Sequence, residues 1–307
     1  MLHNDAPPAR RLPDGKPISA LGFGCSSRWS QSSFPEAEAL AILEAAVANG
    51  INHFDTAPSY ALGEQRLGLF LQRHGADGLV LSTKVGTEAE DNRRSFDPDR
   101  MKDSFEASLA RLGVPHVDIL YLHGPEVCDL NAATFRFFDA LKSAGKIRYS
   151  GVNSFDPAVV EACVARPVDA VMLQYSVADR RFDGSIERLS AAGKIVIAGT
   201  ILAQGIFDLK TFVPRDRAAL WYLLRAMKND PLFAFRGYAL ARKLRRTGLG
   251  AHEAAVRFAV SNPAITSSLF GTRSKSHLIA NALAALDLLT PQQIALFRGK
   301  DQEAVAV

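Results

Sequence analysis

Cysteine is scarce in this chain: three thiols, Cys25, Cys128 and Cys163, stand unevenly spaced among 307 residues, with no Cys-x-x-Cys pair. No disulfide framework follows from that pattern, which fits a reducing cytoplasm. Long hydrophobic runs are missing as well. No stretch approaches the roughly 20 apolar residues of a membrane span, and Met1 to Lys16 is polar and proline-rich without the apolar core of a secretion signal. A cytoplasmic location without a membrane partner is therefore expected. Excess charge of one sign is absent too: 36 basic residues face 32 acidic ones, and the net +4 is spread along the chain. Nucleic acid is not implied as a partner. In the densest basic stretch, Arg236 to Arg246, apolar residues interleave at helical spacing, which reads as a solvated helix face.

What is present is regular alternation. Hydrophobic residues make up 48% of the chain, ordinary for a globular protein and enough for one large core. Short apolar runs with strand character fall at Ile18–Gly24, Ile51–Asp55, Leu79–Lys84, Val117–Leu122, Ile147–Val152, Ala170–Leu173, Ile195–Ala198 and Ile265–Phe270. Amphipathic stretches with helical period separate them, at Pro35–Asn49, Glu64–Arg73, Pro98–Leu112, Ala132–Ser143, Pro157–Ala165, Ser185–Ala192, His252–Ser261 and Ser276–Ala285, several stopped by a glycine. Repeated βα units predict a parallel sheet, and this number of them predicts an α/β fold closed as a (β/α)8 TIM barrel. An open doubly wound sheet would carry Gly-x-Gly-x-x-Gly after its first strand; here Gly22-Phe-Gly24 runs into Cys25-Ser26-Ser27. The expected organisation is one barrel domain over residues 1–307, with residues 1–15 as an N-terminal extension or hairpin. Between the seventh and eighth strands, Leu202 to Pro263 exceeds any single crossover. A long excursion with extra helices is expected there, of the kind that covers an active site.

In such a barrel, polar residues just past the apolar strand runs share one mouth. Asp55, Lys84 and His123 each close a strand run, and Tyr60 follows Asp55 by five residues in the next loop. Taken singly, each has an ordinary explanation: a helix cap, a solvated lysine, a core histidine, a packing ring. Together they form a constellation, because strands two, three and four are neighbours. A lysine held between a carboxylate and a phenol stays charged and draws the phenol pKa down, making the tyrosine a proton donor and acceptor. A nearby imidazole can donate to a carbonyl oxygen and stabilise the alkoxide that forms as hydride arrives.

The segments Leu21-Gly-Phe-Gly24, Phe54-Asp-Thr-Ala-Pro-Ser-Tyr60 with Glu64-Gln-Arg-Leu-Gly68, Ser82-Thr-Lys84-Val-Gly86, Asp118-Ile-Leu-Tyr-Leu-His123, Gly151-Val-Asn-Ser-Phe155 and Gly271-Thr-Arg273 resemble the aldo-keto reductases, in order and spacing, from about residue 15 to about residue 290. The resemblance implies a catalytic tetrad of Asp55, Tyr60, Lys84 and His123 and a nicotinamide cofactor lying extended across the barrel mouth. It also implies that Gly24, Cys25, Ser26 and Asp55 lie near the nicotinamide ribose, Asn153, Ser154 and Gln174 near the carboxamide, and Leu202, Gln204 and Gly205 near the pyrophosphate. Gly271, Thr272, Arg273, Ser274, His277 and Asn281 fall at a helix N-terminus suited to the adenosine phosphate. Family members usually show Ser-Asn where this chain has Asn153-Ser154, an aromatic ring where it has Gly199, and an arginine where it has His277. Positive charge at Arg273 and Lys275 favours NADP(H), with NAD(H) as the alternative. No metal is implied.

The implied function is reduction of aldehydes or ketones, or the reverse oxidation, with hydride from nicotinamide C4 and a proton from Tyr60. Trp29, Tyr60 and His123 are the expected substrate contacts, with Phe212 and Glu126 as further candidates; Phe207 is a candidate to stack on the nicotinamide, and Trp221 and Tyr222, which could also wall the pocket, are expected to pack the extra helices together. Three other readings stand beside it: a sugar 1-dehydrogenase working oxidatively, a cofactor-binding regulatory or sensor subunit, and a Schiff-base lyase using Lys84. The partner expected in the first case is a small-molecule carbonyl or alcohol. No heptad or apolar edge suggests assembly beyond a monomer or weak homo-oligomer.

Overall fold

A computed structural model describes residues 7–87, 93–203 and 233–297. Eight parallel strands close into a barrel, in the order β10-β3-β4-β5-β6-β7-β8-β9. They are β3 (Leu21–Gly24), β4 (His53–Asp55), β5 (Val80–Val85), β6 (Val117–His123), β7 (Ile147–Asn153), β8 (Ala170–Gln174), β9 (Ile195–Gly199) and β10 (Ser267–Phe270). Every strand of the ring pairs with both neighbours, so no edge is left open. The expected α/β barrel is the observed fold.

Helices α1 (Glu36–Ala48), α2 (Gly63–His74), α3 (Pro98–Leu112), α4 (Ala132–Ser143), α5 (Pro157–Ala162) and α6 (Asp183–Ala191) return the chain between strands. Local chemistry sets their ends. Asp97 caps α3 by accepting from the Arg100 N–H, Pro98 occupies its first turn, and Gly113 at φ 67° closes it in a left-handed conformation few other residues adopt without strain. Asn131 caps α4 in the same way. After β9 come α7 (Phe233–Arg245), α8 (Ala251–Val260), α9 (Lys275–Ala284), which follows β10, and the short α10 (Pro291–Ala295). Nearly half of the expected excursion, residues 204–232, lies outside the described residues.

The apolar run Ile18–Gly24 divides into two elements. Pro17–Ser19 (β2) pairs antiparallel with Ala9–Arg11 (β1) in a separate hairpin, and only Leu21–Gly24 enters the barrel. The break falls at Ala20: its N–H donates to Pro8 O, its carbonyl accepts from Ser268, and the Ser19 hydroxyl donates to Leu21 O at 2.7 Å. Leu12 and Ile18 from this hairpin are buried with Val80, Ile119, Tyr121, Met172, Ile195 and Ile197, so the hairpin closes the N-terminal end of the barrel. Lys16 fastens it, donating to Leu79 O and to Asp118 Oδ1, both at 2.7 Å. A second, larger cluster packs the helices against the outer strand faces, and on β8 and β9 its members alternate with the inward residues.

Candidate active site

Period two along the strands decides which polar side chains enter the barrel. On β5, Val80, Ser82 and Lys84 face inward, while Thr83 faces the helices and donates to Glu64 Oε1 at 2.6 Å. On β4 the inward pair is His53 and Asp55, and the register sets Asp55 beside Ser82. The result is a buried polar column. Lys84 Nζ donates to Asp55 Oδ2 at 2.5 Å and to Thr56 O at 2.8 Å, and Ser82 Oγ donates to Asp55 Oδ1 at 2.8 Å. Lys84 has no exposed surface and Asp55 almost none.

A buried ion pair survives only when its remaining valences are met. Burial raises the Asp55 pKa, opposed by the Lys84 charge and the hydrogen bonds from Lys84 and Ser82. Burial works to lower Lys84, but Asp55 and then Tyr60 outweigh it and its pKa is raised. Lys84 is thereby held charged, and its 2.5 Å contact favours the ionised carboxylate of Asp55.

Tyr60 sits above this pair, with Lys84 Nζ 4.7 Å from its ring centre and the His123 ring edge-on at 5.8 Å between centroids. The expected lowering of the phenol pKa does not appear. Burial raises it and outweighs the Lys84 charge, so Tyr60 holds its proton at neutral pH. His123 is pushed down to about 3, first by burial, then by Lys84 and Arg94. It is a neutral imidazole, with Ser59 Oγ 3.5 Å from Nδ1. A neutral phenol and a neutral imidazole thus face one space over a fixed cation.

Around this centre the implied cofactor positions gather at the C-terminal strand ends. Gly24 ends β3; Cys25, fully buried, gives its N–H to Asp55 O at 2.7 Å, and burial raises its thiol pKa well above the ordinary value. Ser26 follows, half-buried. Asn153 ends β7 and donates weakly to Met172 O at 3.4 Å, and the Ser154 hydroxyl accepts from the Asp156 N–H at 3.2 Å. Gln174 ends β8, and its Oε1 accepts from Arg181 Nη2 at 3.0 Å, leaving the amide NH2 without a partner among the described residues. Leu202 is half-buried between Thr200 and Ala203, which both adopt positive φ. Gln204, Gly205, Phe207, Phe212, Trp221 and Tyr222 lie outside the described residues.

Gly271, Thr272 and Arg273 lead into α9, where Ser274 caps by accepting from the His277 N–H at 3.3 Å and Thr272 Oγ1 accepts from the Ser274 N–H. Arg273, Lys275 and His277 are exposed there, no acidic residue stands in the first turn, and Asn281 is buried one turn further on. A dinucleotide fits this donor set. Among the described residues the buried Thr200 hydroxyl has no partner, and a methyl group at Gly199 would meet nothing closer than Leu173 O at 3.5 Å. The α9 N-terminus offers backbone N–H groups and positive side chains free of competing carboxylates.

Trp29 is a correction. It is 1% exposed, packs edge-on to Phe23 at 5.6 Å and donates its indole N–H to Ala39 O, so it belongs to the layer beneath α1 and not to the mouth. An aromatic residue just past a strand end satisfies two descriptions, and packing won. Sequence reasoning passed over Ser82, His53, Arg181 and Arg94; the first two carry a signal, two residues before Lys84 and Asp55 on inward-facing strands. Among the described residues no group of three or more His, Cys, Asp or Glu side chains could hold a metal ion.

A closed (β/α)8 barrel with a buried Asp–Lys pair beneath a tyrosine and a histidine defines a class of barrel oxidoreductase sites. The model of the Aldo/keto reductase family matches residues 20–302, and the chain belongs to that family. It is 30% identical over 280 residues to the uncharacterized oxidoreductase YqkF of Bacillus subtilis (strain 168), covering 87% of each chain. It is 28% identical over 306 residues to L-galactose dehydrogenase of Arabidopsis thaliana, covering 95% of this chain and 90% of that one. Among solved structures, aldo-keto reductase AKR11C1 of Bacillus halodurans, in its holo form, superposes with a TM-score of 0.78 at 26% identity over 95% of each chain. Aldo-keto reductases generally use nicotinamide cofactors. No described helix is long and apolar enough to cross a membrane.

Proposed function

We propose that this protein is an NADPH-dependent reductase of aldehydes or ketones, with Asp55, Tyr60, Lys84 and His123 as its catalytic residues. The observation that carries the reading is the buried Lys84–Asp55 pair at 2.5 Å beneath a Tyr60 that keeps its proton. When bound, the nicotinamide supplies a hydride to the carbonyl carbon. The protein's own residues meet the charge that develops on oxygen. Neutral His123 donates a hydrogen bond to the carbonyl, Tyr60 gives its phenolic proton to the forming alkoxide, and Lys84 stabilises the resulting phenolate. Asp55 keeps Lys84 charged and fixed.

The donors of Asn153, Ser154 and Gln174 suit a carboxamide, and Arg273 and Lys275 at the α9 N-terminus suit the adenosine 2′-phosphate, which favours NADP(H) over NAD(H). The oxidative reading, a sugar 1-dehydrogenase, is favoured by the L-galactose dehydrogenase likeness; the raised Tyr60 pKa favours the reductive one, because alcohol oxidation needs the phenolate. A Schiff base on Lys84 requires a neutral amine, and Asp55 holds that amine protonated. The free cysteines, two of them buried, suit the cytoplasm.

Fluorescence titration with NADPH and NADH, followed by absorbance decay of the reduced nicotinamide with aldehydes and ketones, tests the reading. Tighter NADPH binding with turnover supports it. Binding without turnover of any carbonyl supports the sensor reading, and no binding of either nucleotide refutes the reductase.

A further inference from the structure

The rim of the barrel beside His123 carries a cation, Arg94, with no side-chain partner among the described residues. Phe96 packs its ring against Gly86, whose φ of +91° and lack of a side chain permit the contact, since a methyl group there would stand 2.1 Å from Phe96 Cε1. Ser95 donates its N–H to Gly86 O at 3.0 Å, and Thr87 pairs with Arg94 in an antiparallel bridge. Thr87 also ties this segment to the catalytic strand, its hydroxyl donating to His123 O at 3.0 Å. The side chain held there, Arg94, lies against Gly124, the residue after His123. A methyl group on Gly124 would stand 3.2 Å from Arg94 Nη2 and 3.3 Å from Cζ.

The guanidinium presents a planar fork of donors that matches carboxylate and phosphate geometry. Among the described residues Arg94 makes no ion pair and no side-chain hydrogen bond, although Glu126 and Asp129 follow Gly124 within five residues and Asp97, three residues on, caps α3. Glu126 and Asp129 are instead joined in a capping box, with the Glu126 N–H donating to Asp129 Oδ2 at 2.8 Å. The Arg94 charge reaches the site, because together with burial and Lys84 it lowers the His123 pKa. A planar five-donor fork next to the imidazole that faces the carbonyl is suited to a planar or tetrahedral oxyanion.

We propose that Arg94 anchors an anionic group on the substrate, so that this site prefers carbonyl compounds bearing a carboxylate or phosphate over neutral ones of the same size. The inference rests on the reductase reading of the Tyr60–His123 centre and adds its substrate class. Bound in this way, the anion satisfies the guanidinium while the carbonyl lies under Tyr60 and His123. Arg94 is then a specificity-determining residue and takes no part in proton transfer.

The test compares kcat/KM for matched pairs: 4-carboxybenzaldehyde with benzaldehyde, succinic semialdehyde with butanal, and glyceraldehyde 3-phosphate with glyceraldehyde. The wild-type protein should prefer the charged member of at least one pair by about tenfold or more, and the pair shows whether carboxylate or phosphate is favoured. Arg94→Met should cut that ratio by at least about tenfold, mainly through KM, and Arg94→Lys should restore part of it. The ratio is internal to each variant, so partial loss of folded protein does not affect it. A wild-type ratio near one for all three pairs, or a ratio unmoved in Arg94→Met, overturns the proposal while leaving the reductase reading intact. If neither member of any pair is reduced, the reductase reading fails, and titration calorimetry of 4-carboxybenzyl alcohol against benzyl alcohol reads Arg94 without turnover. Binding of the charged alcohol that is lost in Arg94→Met upholds the anion site; equal binding by both proteins overturns it.

Discussion

Ser82 gives its one hydroxyl proton to Asp55, at 2.8 Å. Because Asp55 is ionised it can only accept, so the rest of the chain's protons follow. His53 Nε2, 3.4 Å from Ser82 Oγ, must be the protonated ring nitrogen, and His53 Nδ1 then accepts from Ser267 Oγ at 2.9 Å. A polarised line thus runs through the barrel interior to the catalytic pair. Ser82→Ala removes one hydrogen bond to a buried carboxylate, a type of contact that contributes about 1.5–3 kcal/mol. The expected result is a roughly tenfold or greater fall in kcat, with NADPH affinity within about twofold and a shifted alkaline limb in the pH profile. Ser82→Thr should retain most of the rate.

The same line predicts acid sensitivity. Burial, then Lys84, lowers the His53 pKa from 6.5 to about 3. Between those values the unfolded chain binds a proton that the folded chain refuses, so stability falls as pH falls below about 6.5 and the loss levels off near pH 3. The slope for one such histidine is about 1.4 kcal/mol per pH unit. Denaturant melts between pH 7 and pH 4 should show this loss, and His53→Gln, which titrates in neither state, should show a shallower slope.

Reaction direction should respond to pH in opposite senses. Tyr60 is raised above its ordinary value by burial, so its proton-donating form persists through neutral and mildly alkaline pH. Carbonyl reduction should be flat from about pH 6 to 9, and alcohol oxidation, which needs the phenolate, should climb over the same interval. Initial rates in both directions across that range decide the matter; an oxidation rate that peaks below pH 8 contradicts the assignment.

Gln174 is oriented by Arg181, which holds its Oε1 at 3.0 Å and pairs with Asp179 at 3.2 Å. Arg181→Met frees the amide to turn its oxygen toward the mouth and leaves Asp179, which is 5% exposed, without its cation. NADPH affinity should weaken by about three- to tenfold in a fluorescence titration. Unchanged affinity would show that Gln174 does not contact the carboxamide.

The sequence announced the barrel because each outward strand face had to be apolar against the helices and each strand had to be followed by a helix. Asp55, Lys84 and His123 were legible because they interrupt apolar runs at the end the barrel opens. Trp29 was not, since a tryptophan after a strand reads the same whether it lines the mouth or packs beneath α1. Ile18–Gly24 read as one strand because hydropathy does not register the backbone bonds that break it at Ala20. Arg94 and Arg181 were invisible for a different reason: arginines in loops are common, and only their surroundings in the fold distinguish these two.

In the proposed reaction hydride passes from a reduced nicotinamide to a carbonyl carbon held at Tyr60. Single-turnover reaction of the protein with NADPH deuterated at both C4 positions and an aldehyde it consumes, read by mass spectrometry and NMR of the alcohol, tests this most directly. The prediction is one deuterium on the carbinol carbon with wild-type protein, and a yield at least about a thousandfold slower to form with Tyr60→Phe, at nearly unchanged NADPH affinity. Unlabelled alcohol, or label delivered as fast by Tyr60→Phe as by the wild type, would contradict it.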